Sequence, residues 1–343
     1  MTVQSRLRYR FVLSLVLAAS AVASQAQAPV PPFHQDAAWP KALPNNWVTG
    51  ALAGVSVDRH EHVWLLHRPS TVKAEAGVAP APPVIEVDKD GTFVRAWGGK
   101  SDAFEWLVQE HGLTVDDRDN VWVSGAGRNG LGKIMKFSTA GALLLEIGDQ
   151  AEGRTPANSD PAVLSRLPAD MAVDTGADEL IVADGERGNR RVIVFNASTG
   201  KFKRMWGAYG EKPDEGGGDK TGKAFSDTVH CIKISNDGLV YVCDRGNNRL
   251  QVFRKDGTFV KEGFVEKQTA GAGSTTAVAF SPDQSVLYVG DGVNQTVWIL
   301  DRASLTPKGQ IRTDSNIQAI ATGAGGDLYV ASSAPPRLMR FTR

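Results

Sequence analysis

Beyond residue 50 the chain is a succession of short apolar runs broken by Asp, Asn, Ser and Gly. Alternating runs of about four to six residues between such turn formers read as β-strands. No segment shows the apolar spacing of an amphipathic helix. The pattern also repeats. Six segments share an apolar strand, a polar turn and a second apolar strand: "GVSVDRHEHVWLLHR" (54–68), "GLTVDDRDNVWVSGA" (112–126), "DMAVDTGADELIVADG" (170–185), "CIKISNDGLVYVCDR" (231–245), "AVAFSPDQSVLYVGDG" (277–292) and "QAIATGAGGDLYVASS" (318–333). The residues opening their turns are Asp58, Asp116, Asp174, Ser235, Ser281 and Thr322, spaced 58, 58, 61, 46 and 41 residues apart. A unit of about 40 residues carrying variable insertions is the mark of a propeller array.

Third strands follow each hairpin ("VIEVDKDG", "KIMKFSTAG", "RVIVFNASTG", "RLQVFRKDG", "TVWILDRAS", "RLMRFTR"), and fourth strands follow several of these ("TFVRAWG", "KFKRMWG", "TFVKEGFV"). The expectation is an all-β fold: a six-bladed β-propeller with four-stranded antiparallel blades over residues 47–343. A seventh blade would need a seventh copy, and a sandwich would not recur six times. The sixth copy stops after its third strand at Arg343, so its outer strand is expected from the N-terminal side, around Trp47–Gly50, removing an open sheet edge.

The N-terminus has a different character. Arg6, Arg8 and Arg10 precede an uncharged apolar run from Phe11 to Ala23, and small-residue cleavage sites follow within residues 21–28. Residues 1–28 read as a secretory signal, too short for a lasting anchor. Export to a periplasm or the extracellular space is expected, with no membrane span after cleavage. Residues 29–46, rich in Pro, Ala and Asn, read as an arm that Trp39 and Trp47 anchor. The 38 basic and 38 acidic residues balance, which gives no reason to expect nucleic acid or an anionic membrane as partner. A monomer is expected.

Propeller chemistry gathers at one mouth of the central channel. The position five residues before each turn opener heads the innermost strand: Ala53, His111, Ala169, His230, Thr276 and Ile317. Two of the chain's six histidines fall on this ring. They are candidate metal ligands, or rim residues that only bond backbone. The ends of the second strands form another ring, with His67 and Arg68 in blade one, Asp184 to Arg187 in blade three, and Asp244 and Arg245 in blade four. Arg68 and Arg245 are candidates for carboxylate recognition through their planar forks. Asp244 reads as a bridge between neighbouring blades. Arg187, Arg190 and Arg191 are read as including surface pairs. His60 and His62 lie in a turn expected to face solvent. Long insertions at 70–83, 150–166 and 209–227 either roof the mouth or are solvated excursions.

These segments resemble NHL-type six-bladed propellers. "HGLTVDDRDNVWVS", "DGERGNRRVIVF", "VCDRGNNRLQVF" and "GVSVDRHEHVWLLHR" are further similar to the core of peptidyl-α-hydroxyglycine α-amidating lyase. That resemblance implies a zinc held by three histidines, a nearby tyrosine and substrate-binding arginines. His111 and His230 match two zinc ligands, and Arg68 and Arg245 match the arginines. The third histidine position is Ile317. The acidic residue tied to a structural calcium is Gln318, which speaks against calcium here. The tyrosine position is Glu186, a candidate third ligand and, with Arg68 and Arg245, a candidate catalytic residue. Two histidines and one carboxylate would also suit iron or manganese.

Three functions are therefore open. One is a channel-mouth site that binds a small anionic ligand or peptide, with or without a metal. A second is a metal-dependent carbon–nitrogen lyase with altered ligands. A third is a protein-interaction scaffold without catalysis. Cys231 and Cys243 stand apart from this question. Closing the blade-four hairpin at Asn236-Asp237-Gly238 pairs Ile234 with Val240, Ile232 with Val242, and Cys231 with Cys243, within disulfide reach. Alkylation of protein from its native source, without reductant, is expected to label neither cysteine; two labelled thiols would refute the bond.

Overall fold

The structure, a computed structural model, describes residues 32–148, 157–186, 188–215 and 222–343. Residues 1–28, read as a secretory signal, lie outside the described residues. Six antiparallel four-stranded units follow one another. Blade one is Leu52–Val57, Val63–His67, Val84–Val87 and Phe93–Trp97. Blade two is Gln109–Val115, Asn120–Ala126, Gly132–Ser138 and Leu143–Gly148. Blade three is Asp170–Asp174, Glu179–Glu186, Arg191–Asn196 and Phe202–Trp206. Blade four is Thr228–Ile234, Leu239–Asp244, Arg249–Arg254 and Phe259–Phe264. Blade five is Thr275–Phe280, Val286–Asp291, Thr296–Asp301 and Pro307–Arg312. Blade six is Ala319–Thr322, Leu328–Ser333 and Pro336–Thr342, completed by His34–Gln35. This is the six-bladed β-propeller.

Ring closure differs from the expectation in its donor. The outer strand of blade six is His34–Gln35, pairing with Thr342 and Phe341, and not Trp47–Gly50. Trp47 and Val48 pair in parallel with Ala79 and Pro80 of the blade-one insertion. Part of the segment read as an arm thus lies inside the ring. Trp39 holds it there, buried against Tyr329 with ring centroids 5.0 Å apart and donating from Nε1 to the Lys89 carbonyl.

Two local devices recur. The acid that opens a hairpin turn caps it and binds an indole six residues later. Asp58 accepts from the His60 and His62 amides and from Trp64 Nε1, and Asp116 accepts from the Arg118 and Asn120 amides and from Trp122 Nε1. Both tryptophans are fully buried in the seams, where apolar clusters join neighbouring blades. At the opposite end of the hairpins, an aspartate at or near the end of the second strand pairs with the first residue of the third. Arg191 Nε lies 2.8 Å from Asp184, and Arg249 Nε 2.7 Å from Asp244. Arg191 is fully buried, so it is not a surface residue; Arg187 lies outside the described residues. Asp244 binds within its own blade and its lead-in, to Arg249, Asn247 and Ser226, and does not bridge to a neighbour.

The free guanidinium nitrogens of Arg191 gather the carbonyls of Asn158, Asp160 and Val163. Glu215 accepts from the amides of Asn158 and Ser159. The described parts of these two insertions are therefore pinned to blade three. The cysteines pair as the hairpin register requires, with Cα atoms 4.8 Å apart. Arg191→Ala leaves the Asp184 carboxylate buried without its cation and is expected to cost about 3–5 kcal/mol. Urea unfolding measures it, and a loss below about 1 kcal/mol, in the range of a surface pair, would contradict this reading.

Candidate functional site

The heads of the innermost strands are irregular in a way that places the site. In blade two Glu110 pairs with Gly125 and Gly112 with Ser124, so His111 is an extra, unpaired residue. In blade four Val229 pairs with Asp244 and Cys231 with Cys243, so His230 is extra. Ala53 and Thr276 occupy the same place in blades one and five. These are β-bulges, which redirect a side chain away from the normal alternation. Gly112 permits the close approach that follows, since a Cβ there would stand 2.6 Å from the Ala169 carbonyl oxygen.

Each histidine then bonds the equivalent residue of the next blade. His111 Nδ1 donates to the Ala169 carbonyl at 2.9 Å, and His230 Nδ1 to the Thr276 carbonyl at 2.7 Å. A carbonyl only accepts, so both rings carry their proton on Nδ1. Both Nε2 atoms face the channel, with the ring centroids 5.0 Å apart. Glu186 meets them there. The second strand of blade three overruns its own sheet and pairs with blade four, Gly185 against Val229 and Glu186 against Thr228. Gly185 allows this because a Cβ at that position would collide with Val229.

Glu186 Oε2 lies 2.8 Å from His111 Nε2 and 3.7 Å from His230 Nε2. The first contact is close but not aligned as a hydrogen bond, so Oε2 is buried without a donor. Such an orphan charge is costly, and two lone-pair atoms at this separation need a positive charge between or beside them. Burial works against the Glu186 charge, but His111, His230 and Arg245 outweigh it and hold the carboxyl well below the usual range. Burial pushes His230 down to about 3, helped by the charges of Arg245 and His111 and opposed by Glu186. With Nδ1 bonded to the Thr276 carbonyl, the Nε2 lone pair of the neutral ring is the one that faces the channel. Gln318 Nε2 donates to it at 3.3 Å.

The ligand atoms of His111, Glu186 and His230 all lie within 4.8 Å of one another. Two imidazole nitrogens and a carboxylate suit a divalent metal with an open position, and an orphaned carboxylate oxygen is what a missing cation leaves behind. The cavity beneath the histidines measures about 20 Å³. It admits a water or an ion but no organic ligand, which must sit above the histidines at the mouth. Arg245 stands at that mouth. Burial lowers its pKa, opposed by Glu186, and its Nε is buried without a hydrogen-bond partner.

The NHL repeat model matches residues 228–253, which carry His230, both cysteines and Arg245. "NHL repeat-containing protein 3" of Mus musculus is 30% identical over 275 residues, 76% of this chain and 67% of that protein. The chain belongs to the NHL repeat-containing family. "Peptidyl-alpha-hydroxyglycine alpha-amidating lyase 1" of Drosophila melanogaster is 23% identical over 341 residues, 89% of this chain and 58% of that protein. "Peptidyl-glycine alpha-amidating monooxygenase B" of Xenopus laevis is 27% identical over 276 residues, 76% of this chain and 28% of that protein. The NHL propeller thus spans about two thirds of its NHL-named mouse relative and a smaller share of these two amidating proteins.

In this NHL propeller His111, His230, Glu186 and Arg245 come together as one group. Arg68 stands beside it, donating from Nε to the carbonyl of Glu110, the residue before His111. His60 and His62 do not converge; His60 faces Asp119, and His62 the buried Glu86. Asp58, His62 and Glu86 do lie close together, but Trp64, Arg95 and the turn amides already engage the two acids. His67 is a buried strut. Its Nδ1 accepts from the Gly50 amide and its Nε2 donates to the Pro82 carbonyl. Burial pushes its pKa down to about 4. The unfolded chain takes up that proton below about pH 6.5, so the contribution of His67 is complete above that pH and is lost as pH falls toward 4. Urea midpoints are expected to show up to about 3 kcal/mol of loss over this window, flattened in His67→Asn; an identical slope in the variant would refute it.

Proposed function

We propose that this propeller is an exported protein whose channel mouth binds a small anionic ligand or peptide through a divalent metal. His111, His230 and Glu186 would hold the metal. The observation that supports this most is the pair of histidine Nε2 atoms, fixed by backbone bonds at Nδ1, facing one orphaned carboxylate oxygen. Hydrogen bonds of that kind set the tautomer and orientation of metal-binding imidazoles. Bound there, a divalent metal would polarise a hydroxyl or carbonyl oxygen of the ligand. Arg245, with an unused buried donor, would receive a carboxylate by charge-assisted hydrogen bonds, and Arg68 would extend that positive edge. The disulfide supports export to an oxidising compartment.

Turnover is the second reading, supported by the likeness to the amidating lyases. That reaction breaks a carbon–nitrogen bond of a hydroxyglycine, releasing an amide and glyoxylate, and needs a group to take the hydroxyl proton. Glu186 occupies the position where the resemblance places a tyrosine. The Glu186 carboxylate oxygen faces both imidazole Nε2 atoms, which places it to share an ion with them. Its chemistry suits a ligand or ion-pair partner better than a general base, which favours binding over catalysis.

Metal analysis after reconstitution with zinc or manganese decides the first point. One metal per chain is expected for the parent protein, and His230→Ala is expected to weaken binding by at least about tenfold. A parent protein that takes up neither metal would refute the proposal. Glyoxylate release from an α-hydroxyglycine peptide by the loaded protein would favour the lyase reading.

A further inference from the structure

Blade six meets the site differently from blades two and four. Its innermost strand, Ala319–Thr322, pairs with Leu328–Ala331, and its turn opens at Gly323, whose amide donates to the Asp327 carbonyl as that of Asp116 does to Asn120 and that of Ser235 to Leu239. Counted back from that turn, Gln318 and not Ile317 stands in register with His111 and His230, its amide donating to the Ala331 carbonyl at 2.9 Å. Normal alternation then sends neighbouring residues to opposite sides. Ile317, one residue before the ring position, is buried against blade five, where a Cβ on Gly290 would stand 2.8 Å from its Cγ2. Gln318 faces the channel and lines the small cavity together with both histidines.

We propose that Gln318 is a fourth, exchangeable ligand of the centre. This rests on the metal-binding reading of the same site. Without metal, the amide nitrogen donates to the His230 Nε2 lone pair, as observed at 3.3 Å. When a cation takes that lone pair, the same N–H would point at a positive charge. A primary amide carries donor and acceptor on one planar group, so a half-turn about its last bond presents the oxygen instead. Gln318 thus stabilises the neutral imidazole in one state and coordinates in the other, without moving its backbone. The resulting donors, two nitrogens and two oxygens from blades two, three, four and six, are harder than a three-histidine set and suit manganese, iron or cobalt as well as zinc.

Cobalt(II) is the probe, because its visible absorption reports the number and type of its ligands. The full-length protein and its Gln318→Leu and Gln318→Glu variants would be titrated with cobalt and competed with a chelator. Gln318→Leu is expected to weaken binding about tenfold or more and to change the band shape. Gln318→Glu, nearly isosteric and able to coordinate, is expected to keep the band and tighten binding. Unchanged affinity and spectrum in Gln318→Leu would overturn the role of Gln318 while leaving the metal centre standing. A parent protein with no cobalt spectrum would overturn the metal reading and this inference with it.

Discussion

The hydrogen bonds from His111 to Ala169 and from His230 to Thr276 each cross a blade junction at the head of the innermost strands. There the blades approach most closely, and a carbonyl of one has to find its donor on another. Two of the four bulged positions meet that demand with an imidazole. The same bond that joins the blades settles which ring nitrogen is bare and where it points. Recognition chemistry at this mouth is thus a by-product of ring packing. Glu186 follows the same logic, since an overrunning strand that stitches blade three to blade four carries the carboxylate to the histidines.

The two mouths are built from different materials. At the turn end, Arg59 pairs with Asp119, Lys255 with Asp174 and Arg302 with Asp237, each across a blade boundary and partly in solvent. Such pairs add little individually. At the site end Asp184–Arg191 and Asp244–Arg249 lie buried within their blades, while Glu186 reaches across to His111 and His230 of the neighbouring blades. Between the two ends Lys233 and Asp170 pair on the channel wall at 3.1 Å. An internal ammonium already occupies the stretch next to Gln318, in keeping with the absence of an acid at that position.

Much of this architecture was legible in the residues because the repeat multiplies weak signals. Six turn openers at comparable spacing outweigh the ambiguity of any one strand, and the register of the Cys231–Cys243 hairpin follows from a three-residue loop ending in glycine. The ring holding His111 and His230 was visible for the same reason. The bulges were not, since an extra residue in a strand changes no composition or period. In blade six the turn opens at Gly323 and not at Thr322, so the ring position falls on Gln318 and not on Ile317, a one-residue slip where no acid or serine marks the turn. Arg191 was misjudged because charge suggests exposure, whereas its carboxylate and carbonyl partners come from segments up to 34 residues away. A two-residue strand such as His34–Gln35 is too short to have a pattern.

That strand has a consequence for how the molecule is made. His34 and Gln35 are among the first residues of the ring to be synthesised, and their partners Thr342 and Phe341 are the last but one and last but two of the chain. Blade six therefore stays one strand short until Pro336–Thr342 has been made. Loop-closure entropy puts so distant a pairing late in folding. The cysteine pair, only 12 residues apart, needs no such wait. A nascent chain can thus be stapled in its fourth blade while the ring remains open, and the channel that frames the histidines exists only once His34–Gln35 and Pro336–Thr342 meet.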